Sequence, residues 1–218
     1  KIYGDWHYAL PLNPQVLKSI KKEYKEQGFS LEQYGVKEMR GKITFPYEIT
    51  FVWGDNSYLK MTDRELVKGR YPANPGEIAA DKFTLSNLGY KGEPGEMITL
   101  EGRNYTLTGI LKSPWAMDFD QMEIFVSKNF KSADSISTLY VKFREKGKLY
   151  QQLYAFLDCC KISGNEAENN DKVTKYLGGE EPESLYHILK FALTDEKGNF
   201  TYIVLKLQAE YNLAFYGM

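Results

Sequence analysis

Residues able to do chemistry are few in this chain, and they stand far apart. There are two histidines, His7 and His187, separated by most of the sequence. A zinc-type site needs nitrogen, sulfur or carboxylate ligands converging on one tetrahedral point, so both would have to meet with added carboxylates. Satisfied structural histidines are the stronger reading. The two cysteines, Cys159 and Cys160, are adjacent. Neighbours on a helix point about 100° apart, so a disulfide between them would be strained, and they read as thiols on a helix face. Asp118, Asp120 and Glu123 offer oxygen ligands. They lack the glycine and alternating ligands of a calcium loop, and read as a solvated acidic loop. No glycine-rich phosphate loop with its lysine and hydroxyl occurs, nor a nucleophile elbow. The sequence therefore predicts a chain that is not an enzyme and has no cofactor or metal of its own.

A contact surface is better supported than a reaction. The stretch SPWAMDF places Trp115, Met117 and Phe119 within five residues, just after an expected strand. Large apolar groups on a loop mark a contact surface unless they fold back over a core. Both readings stand at this point, and Trp115, Met117 and Phe119 are the candidate partner-binding residues.

The elements that must position this loop follow from periodicity and turn chemistry. Residues 5–10, rich in aromatics between Gly4 and Pro11, predict a strand. Asn13 as N-cap, Pro14 at the first helical position and Gly28 as the stop predict a helix over 14–27. Its apolar stripe is Val16, Leu17, Ile20 and Tyr24, and its lysine-rich face, interleaved with Glu23 and Glu26, reads as solvated. Strands are expected over 29–36, 43–45 and 49–53, a turn over 54–57 and another strand over 58–61. Further on, 137–143 alternates as a strand and 148–161 has helical spacing, a second strand-then-helix unit. Residues 163–171 read as a polar surface loop, followed by a helical run over 183–193 and an element over 201–205.

Between these units, residues 62–126 show a regular series of turns. Gly69-Arg70-Tyr71-Pro72 and Asn74-Pro75-Gly76-Glu77 are turn sequences leading into Ile78-Ala79-Ala80. A short helix over 81–88 is stopped by Gly89. A hairpin follows, with 97–100 and 105–108 alternating around Glu101-Gly102. These words, in this order, resemble the extracytoplasmic domain of FtsX-like ABC transporter permeases, the MacB-like periplasmic core domain. LVKGRYPANPGEIAADKFTLSNLGY is similar to the family's G-R-x-P-x-x-x-x-E-I turn followed by L-G, GEMITL to its G-D-x-I-x-L, and YTLTGIL to its Y-x-V-x-G-I. The likeness covers about a third of the chain strongly. One departure is an extra Gly-Glu-Pro in GYKGEPGEMITL, where the family has a shorter Val-Gly-Asp turn. VTKYLG, at 173–178, resembles the stretch preceding the second membrane helix of those permeases.

The fold class expected is α+β, with helices on a sheet. The organisation expected is two-lobed: residues 1–61 and 127–218 as a membrane-proximal lobe, with 62–126 inserted as a smaller β-rich lobe. The resemblance implies a non-catalytic domain on the extracellular face of a cell membrane, in a Gram-positive permease. Its partners would be a separate cytoplasmic ATP-binding subunit, flanking transmembrane helices of the same longer chain, and an exported or sensed peptide, lipid or cell-wall protein. The sequence itself begins at Lys1 rather than Met and ends on the apolar 213–218, which predicts a piece of something longer, with both ends close to the bilayer. No run of about 18 apolar residues is present within it. A net charge of −1 without a basic cluster argues against nucleic acid as a partner. The 17 tyrosines keep a second class in view, a surface adhesion module binding carbohydrate or peptide through aromatics. A secreted hydrolase ranks third, for want of an acid-base constellation.

Overall fold

Local signals start most of the elements where the sequence predicts. In the computed structural model, which describes residues 4–21, 28–44, 48–113, 122–132 and 135–174, β1 covers Tyr8–Pro11 and α1 covers Pro14–Lys21. Asn13 caps α1, its Oδ1 accepting from the amides of Gln15 and Val16, each at 2.9 Å. Val16 is buried and Ile20 packs on the same core, but Leu17 is 40% exposed, so the apolar stripe is narrower than expected. The chain divides into one compact unit, Lys1–Gly179, which contains every described residue, and another, Glu180–Met218, which contains none. The elements expected over 183–193 and 201–205 thus lie outside the described residues.

Three expectations are corrected here. Residues 58–61 are not a strand: Asn56–Met61 form helix α2, because Asp55 caps its N-terminus and the turn buries Tyr58, Leu59 and Met61. Residues 29–36 and 43–45 are not two strands: a single strand, β2, runs over Leu31–Ile43. A register shift between Met39 and Gly41 lets it stay paired with its neighbour across the break. Residues 163–171 are not wholly a surface loop. A 3₁₀ turn at Gly164–Glu166 leads to a two-residue strand, Glu168–Asn169, and Asn170 is buried, donating from Nδ2 to the Trp6 carbonyl at 2.9 Å.

The remaining elements are β3 (Ile49–Gly54), β4 (Leu66–Gly69), β5 (Glu77–Asp81), α3 (Lys82–Asn87), β6 (Met97–Leu100), β7 (Arg103–Leu111), β8 (Met122–Val126), β9 (Ile136–Phe143), α4 (Leu149–Cys160), β10 (Glu168–Asn169) and α5 (Asp171–Thr174). Among the described residues they form one ten-stranded sheet in the order β10-β1-β9-β2-β3-β8-β5-β7-β4, with β6 also on β7. The fold is α+β. The strands from the 62–126 segment occupy one end of this sheet and join the rest through a parallel pairing of β8 with β3, Ile49 opposite Met122 and Val52 opposite Phe125.

Alternation along the central strands fills both faces. Ile49 and Phe51 of β3, Ile124 and Val126 of β8, and Ile78 and Ala80 of β5 enter one core with Leu85 of α3. Their neighbours Val52, Phe125 and Ala79 enter another with Tyr58, Leu59 and Met61 of α2. This explains why β8 is buried at all five positions. Toward the other end, Leu139, Val141 and Phe143 of β9 pack with Leu149, Leu153 and Phe156 of α4.

Candidate functional site: a buried charge cluster beneath α2

Helix α2 lies close on the sheet because two glycines leave room for it. A Cβ on Gly35 would stand 2.3 Å from the Tyr58 backbone nitrogen, and one on Gly54 would stand 2.2 Å from the Tyr58 ring. Asp55 fastens the start of the helix to β2: its amide donates to the Val36 carbonyl at 3.0 Å, and its Oδ2 accepts the Val36 N–H at 3.1 Å. The Tyr58 ring then meets Tyr140 edge-on at 4.9 Å, and Tyr140 meets Trp6 at 5.0 Å. Burial pushes the Tyr58 phenol well above its ordinary value and that of Tyr140 up to about 12, so both are neutral hydroxyls.

Against this aromatic packing sits a cluster of charges drawn from distant parts of the chain. Glu123 on β8 accepts from Lys37 of β2 at 2.5 Å and from Arg64, three residues beyond α2, at 3.0 Å. Arg64 also lies 3.8 Å from Asp81 and 6.0 Å from the centre of the Phe125 ring. Asp81 ends β5 and caps α3, accepting the Thr84 amide at 3.0 Å and its hydroxyl at 2.9 Å. The Arg64 and Glu123 side chains are each 9% exposed. Burial alone would push the Glu123 carboxyl up, but the Lys37 ammonium and Arg64 guanidinium hold it below the usual carboxylate range. For the same reason both cations are held above their ordinary values against the effect of burial. With its oxygens engaged by two cations, this carboxylate is an anchor between β2, β8 and the α2–β4 connection.

Glu123 is therefore a correction: it belongs to a strand and a buried ion cluster, not to a solvated acidic loop. A single acid inside the apolar run Met122 to Val126 was the available signal, but its partners are 86 and 59 residues away in sequence. Trp115, Met117, Phe119, Asp118, Asp120 and His187 lie outside the described residues. The two ends of the 114–121 connection are described. Lys112 pairs with Asp63 at 2.6 Å, Ser113 Oγ donates to Asp81 at 3.4 Å, and Glu123 sits in the cluster. His7 is buried, and its Nδ1 accepts the Phe143 amide at 3.0 Å. Burial first, then the Lys142 charge, lowers its pKa to about 4, so it is a neutral structural histidine. Cys160 is buried on the core side of α4 and Cys159 is half-buried beside it. Among the described residues no group of three His, Cys, Asp or Glu side chains is placed to hold a metal ion.

The wording of 69–78 takes on a physical meaning as well. Glu77 receives both guanidinium nitrogens of Arg70, at 2.8 and 2.7 Å, and the amides of Ala73 and Asn74 at 2.8 and 3.2 Å. The Arg and Glu of the G-R-x-P-x-x-x-x-E turn thus close the loop on itself, and the Arg70 bond, followed by those from Ala73 and Asn74, keeps Glu77 ionised far into acid. The extra Gly-Glu-Pro is organised in the same way. The Glu96 carboxylate accepts from the amides of Lys91, Gly92 and Glu93, at 3.2, 2.9 and 3.3 Å.

No family model matches the chain, and no curated protein matches it in sequence. Solved structures do. The extracellular domain of the noncanonic ABC-type transporter YknZ from Gram-positive bacteria is 12% identical with a TM-score of 0.46, over 75% of this chain and 98% of that one. The periplasmic region of MacB from Actinobacillus actinomycetemcomitans is 9% identical with a TM-score of 0.49, over 82% and 95%. A domain assigned to a permease protein of Porphyromonas gingivalis is 14% identical with a TM-score of 0.46, over 77% and 89%. An extracellular domain of an ABC-type transporter, a periplasmic region and a permease domain are what this chain is similar to in structure.

Proposed function

We propose that the chain is a non-catalytic domain on the outer face of a cell membrane, part of an ABC transporter permease, and that it couples an outside ligand or partner to a cytoplasmic ATPase. In this reading residues 1–61 and 127–218 form the membrane-proximal lobe and 62–126 the inserted one. Trp115, Met117 and Phe119 present the contact surface, and the occupant is an exported or sensed peptide, lipid or cell-wall protein. The observation that supports the reading is that the strands of the segment with the family wording are paired into the sheet and that both ends of the 114–121 connection are anchored there. One end of that connection is tied to Asp63 and Asp81, and the other to Lys37 and Arg64. Coupling between distant sites needs stiff elements whose arrangement both sites bias, and a pairing of β3 with β8 braced by buried charges is such an element. Among the described residues no helix is long and apolar enough to cross a membrane; in this reading flanking helices of the same longer protein do the spanning.

The test is cysteine accessibility in intact cells making the full-length protein, with Trp115→Cys in a Cys159→Ser/Cys160→Ala background. A membrane-impermeant maleimide is expected to label the position without lysis, and labelling is expected to fall when the outside partner is bound. Labelling only after lysis contradicts the location. Labelling only after denaturation contradicts the contact surface and places Trp115 in a core.

A further inference from the structure

The sheet has three edges among the described residues, and they are protected in different ways. An exposed edge offers unpaired backbone groups to another strand, so folded proteins shorten it, charge it or bend it away. At one end β10 is only two residues long. At the other, β4 carries Lys68 and Gly69 and breaks register between Leu66 and Lys68. Strand β6 has none of these devices. Met97-Ile98-Thr99-Leu100 contains no charge, proline or glycine, and its pairing with β7 runs without irregularity from Met97 opposite Thr106 to Leu100 opposite Arg103. Met97 is 61% exposed, and Thr99, Asn104 and Thr106 beside it are exposed and uncharged.

Among the described residues, one side chain occupies this edge. The Tyr90 hydroxyl accepts the Thr99 N–H at 2.8 Å and donates to the Thr99 carbonyl at 3.1 Å. A phenol can do both at once, and these are the two bonds that a residue of an added antiparallel strand would make. Tyr90 is itself fixed: its amide donates to the Leu85 carbonyl at 2.9 Å, and its ring packs against the core beneath α3. We propose that Tyr90 is the guard of the β6 edge, and that without its hydroxyl β6 pairs antiparallel with β6 of a second copy of this chain. A second copy suits the edge because an uncharged strand meets itself without like-charge repulsion, and cross-strand like charges are what would otherwise oppose such pairing.

The experiment uses the full chain with Tyr90→Phe, which keeps the ring and removes only the hydroxyl. Thr99 amide exchange is expected to quicken about tenfold in dilute solution, the loss of one modest hydrogen bond. Sedimentation velocity is expected to show a dimer that grows with concentration. Adding Met97→Lys to that variant puts like charges on the facing strands, and is expected to restore the monomer while Thr99 still exchanges fast. A Tyr90→Phe chain that stays monomeric at every concentration overturns the proposal. So does a dimer that Met97→Lys leaves intact, because the contact then lies elsewhere.

Discussion

Two arginine–glutamate pairs in this molecule use the same groups to opposite ends. Arg70 and Glu77 are seven residues apart, and the arginine side chain is 56% exposed; Arg64 and Glu123 are 59 apart and each 9% exposed. The first pair closes a turn, where water competes for both charges and little stability follows. The second brings together a loop after α2 and a strand on the far side of the 114–121 connection, where no water replaces a lost partner. The difference teaches where the sheet is organised locally and where it is held together across the chain.

Breaking the buried pair should therefore have the largest effect. Arg64→Met leaves Glu123 with Lys37 alone and Asp81 without its cation, and is expected to cost about 3–5 kcal/mol in urea unfolding. Replacing Lys37, Arg64 and Glu123 together by apolar residues of similar size is expected to recover part of that loss, because Glu123 and Lys37 are then not stranded and Asp81, still held by the Thr84 amide and hydroxyl, alone lacks its cation. If Arg64→Met alone is neutral, the cluster does not hold the strands together.

An effect of intermediate size comes from the opposite end of the sheet. His7 has a folded pKa of about 4 against an ordinary 6.5. As pH falls below 6.5 the unfolded chain takes up a proton that the folded chain refuses. Stability is thus full above pH 6.5 and declines toward pH 4, by something on the order of 2 kcal/mol after allowance for solvent. Glu123, held below its ordinary value, adds its own loss only at lower pH. His7→Gln is expected to flatten the slope between pH 6.5 and 4 in thermal melts across that range, and an unchanged slope assigns the titration elsewhere.

The smallest change is expected at the exposed pair. Glu77→Gln should leave the melting temperature nearly unaltered while speeding exchange of the Ala73 and Asn74 amides that the carboxylate accepts. A large fall in melting temperature would make the turn a stability determinant and erase the contrast with Arg64.

How much of this was legible in the sequence follows the same division between local and distant. The cap at Asn13, the helix begun by Asp81, the hairpin around Glu101-Gly102 and the strand-helix unit of β9 and α4 are written in adjacent residues, and the structure has each of them. The α+β class followed from their order. Helix α2 was missed because Tyr58-Leu59-Lys60-Met61 is a short apolar run after a turn, too short for its period to separate strand from helix; what decides it is the Asp55 cap together with the space over Gly35 and Gly54, and the latter is visible only once β2 and β3 are paired. The charge cluster was illegible for the same reason. Lys37, Arg64, Asp81 and Glu123 carry no common spacing, and it takes the pairings of β2 with β3, β3 with β8 and β8 with β5 to bring them together.

The claim at the centre of this account is that the cluster joins the strands of 62–126 to the flanking strands as one cooperative unit. Native-state hydrogen exchange of Arg64→Met tests it most directly, by comparing Ile124 on β8 with Leu139 and Val141 on β9, all of them buried. Protection is expected to fall at all three positions by the same amount. A fall at Ile124 with Leu139 and Val141 unchanged would contradict it, showing two ends of the sheet that open independently.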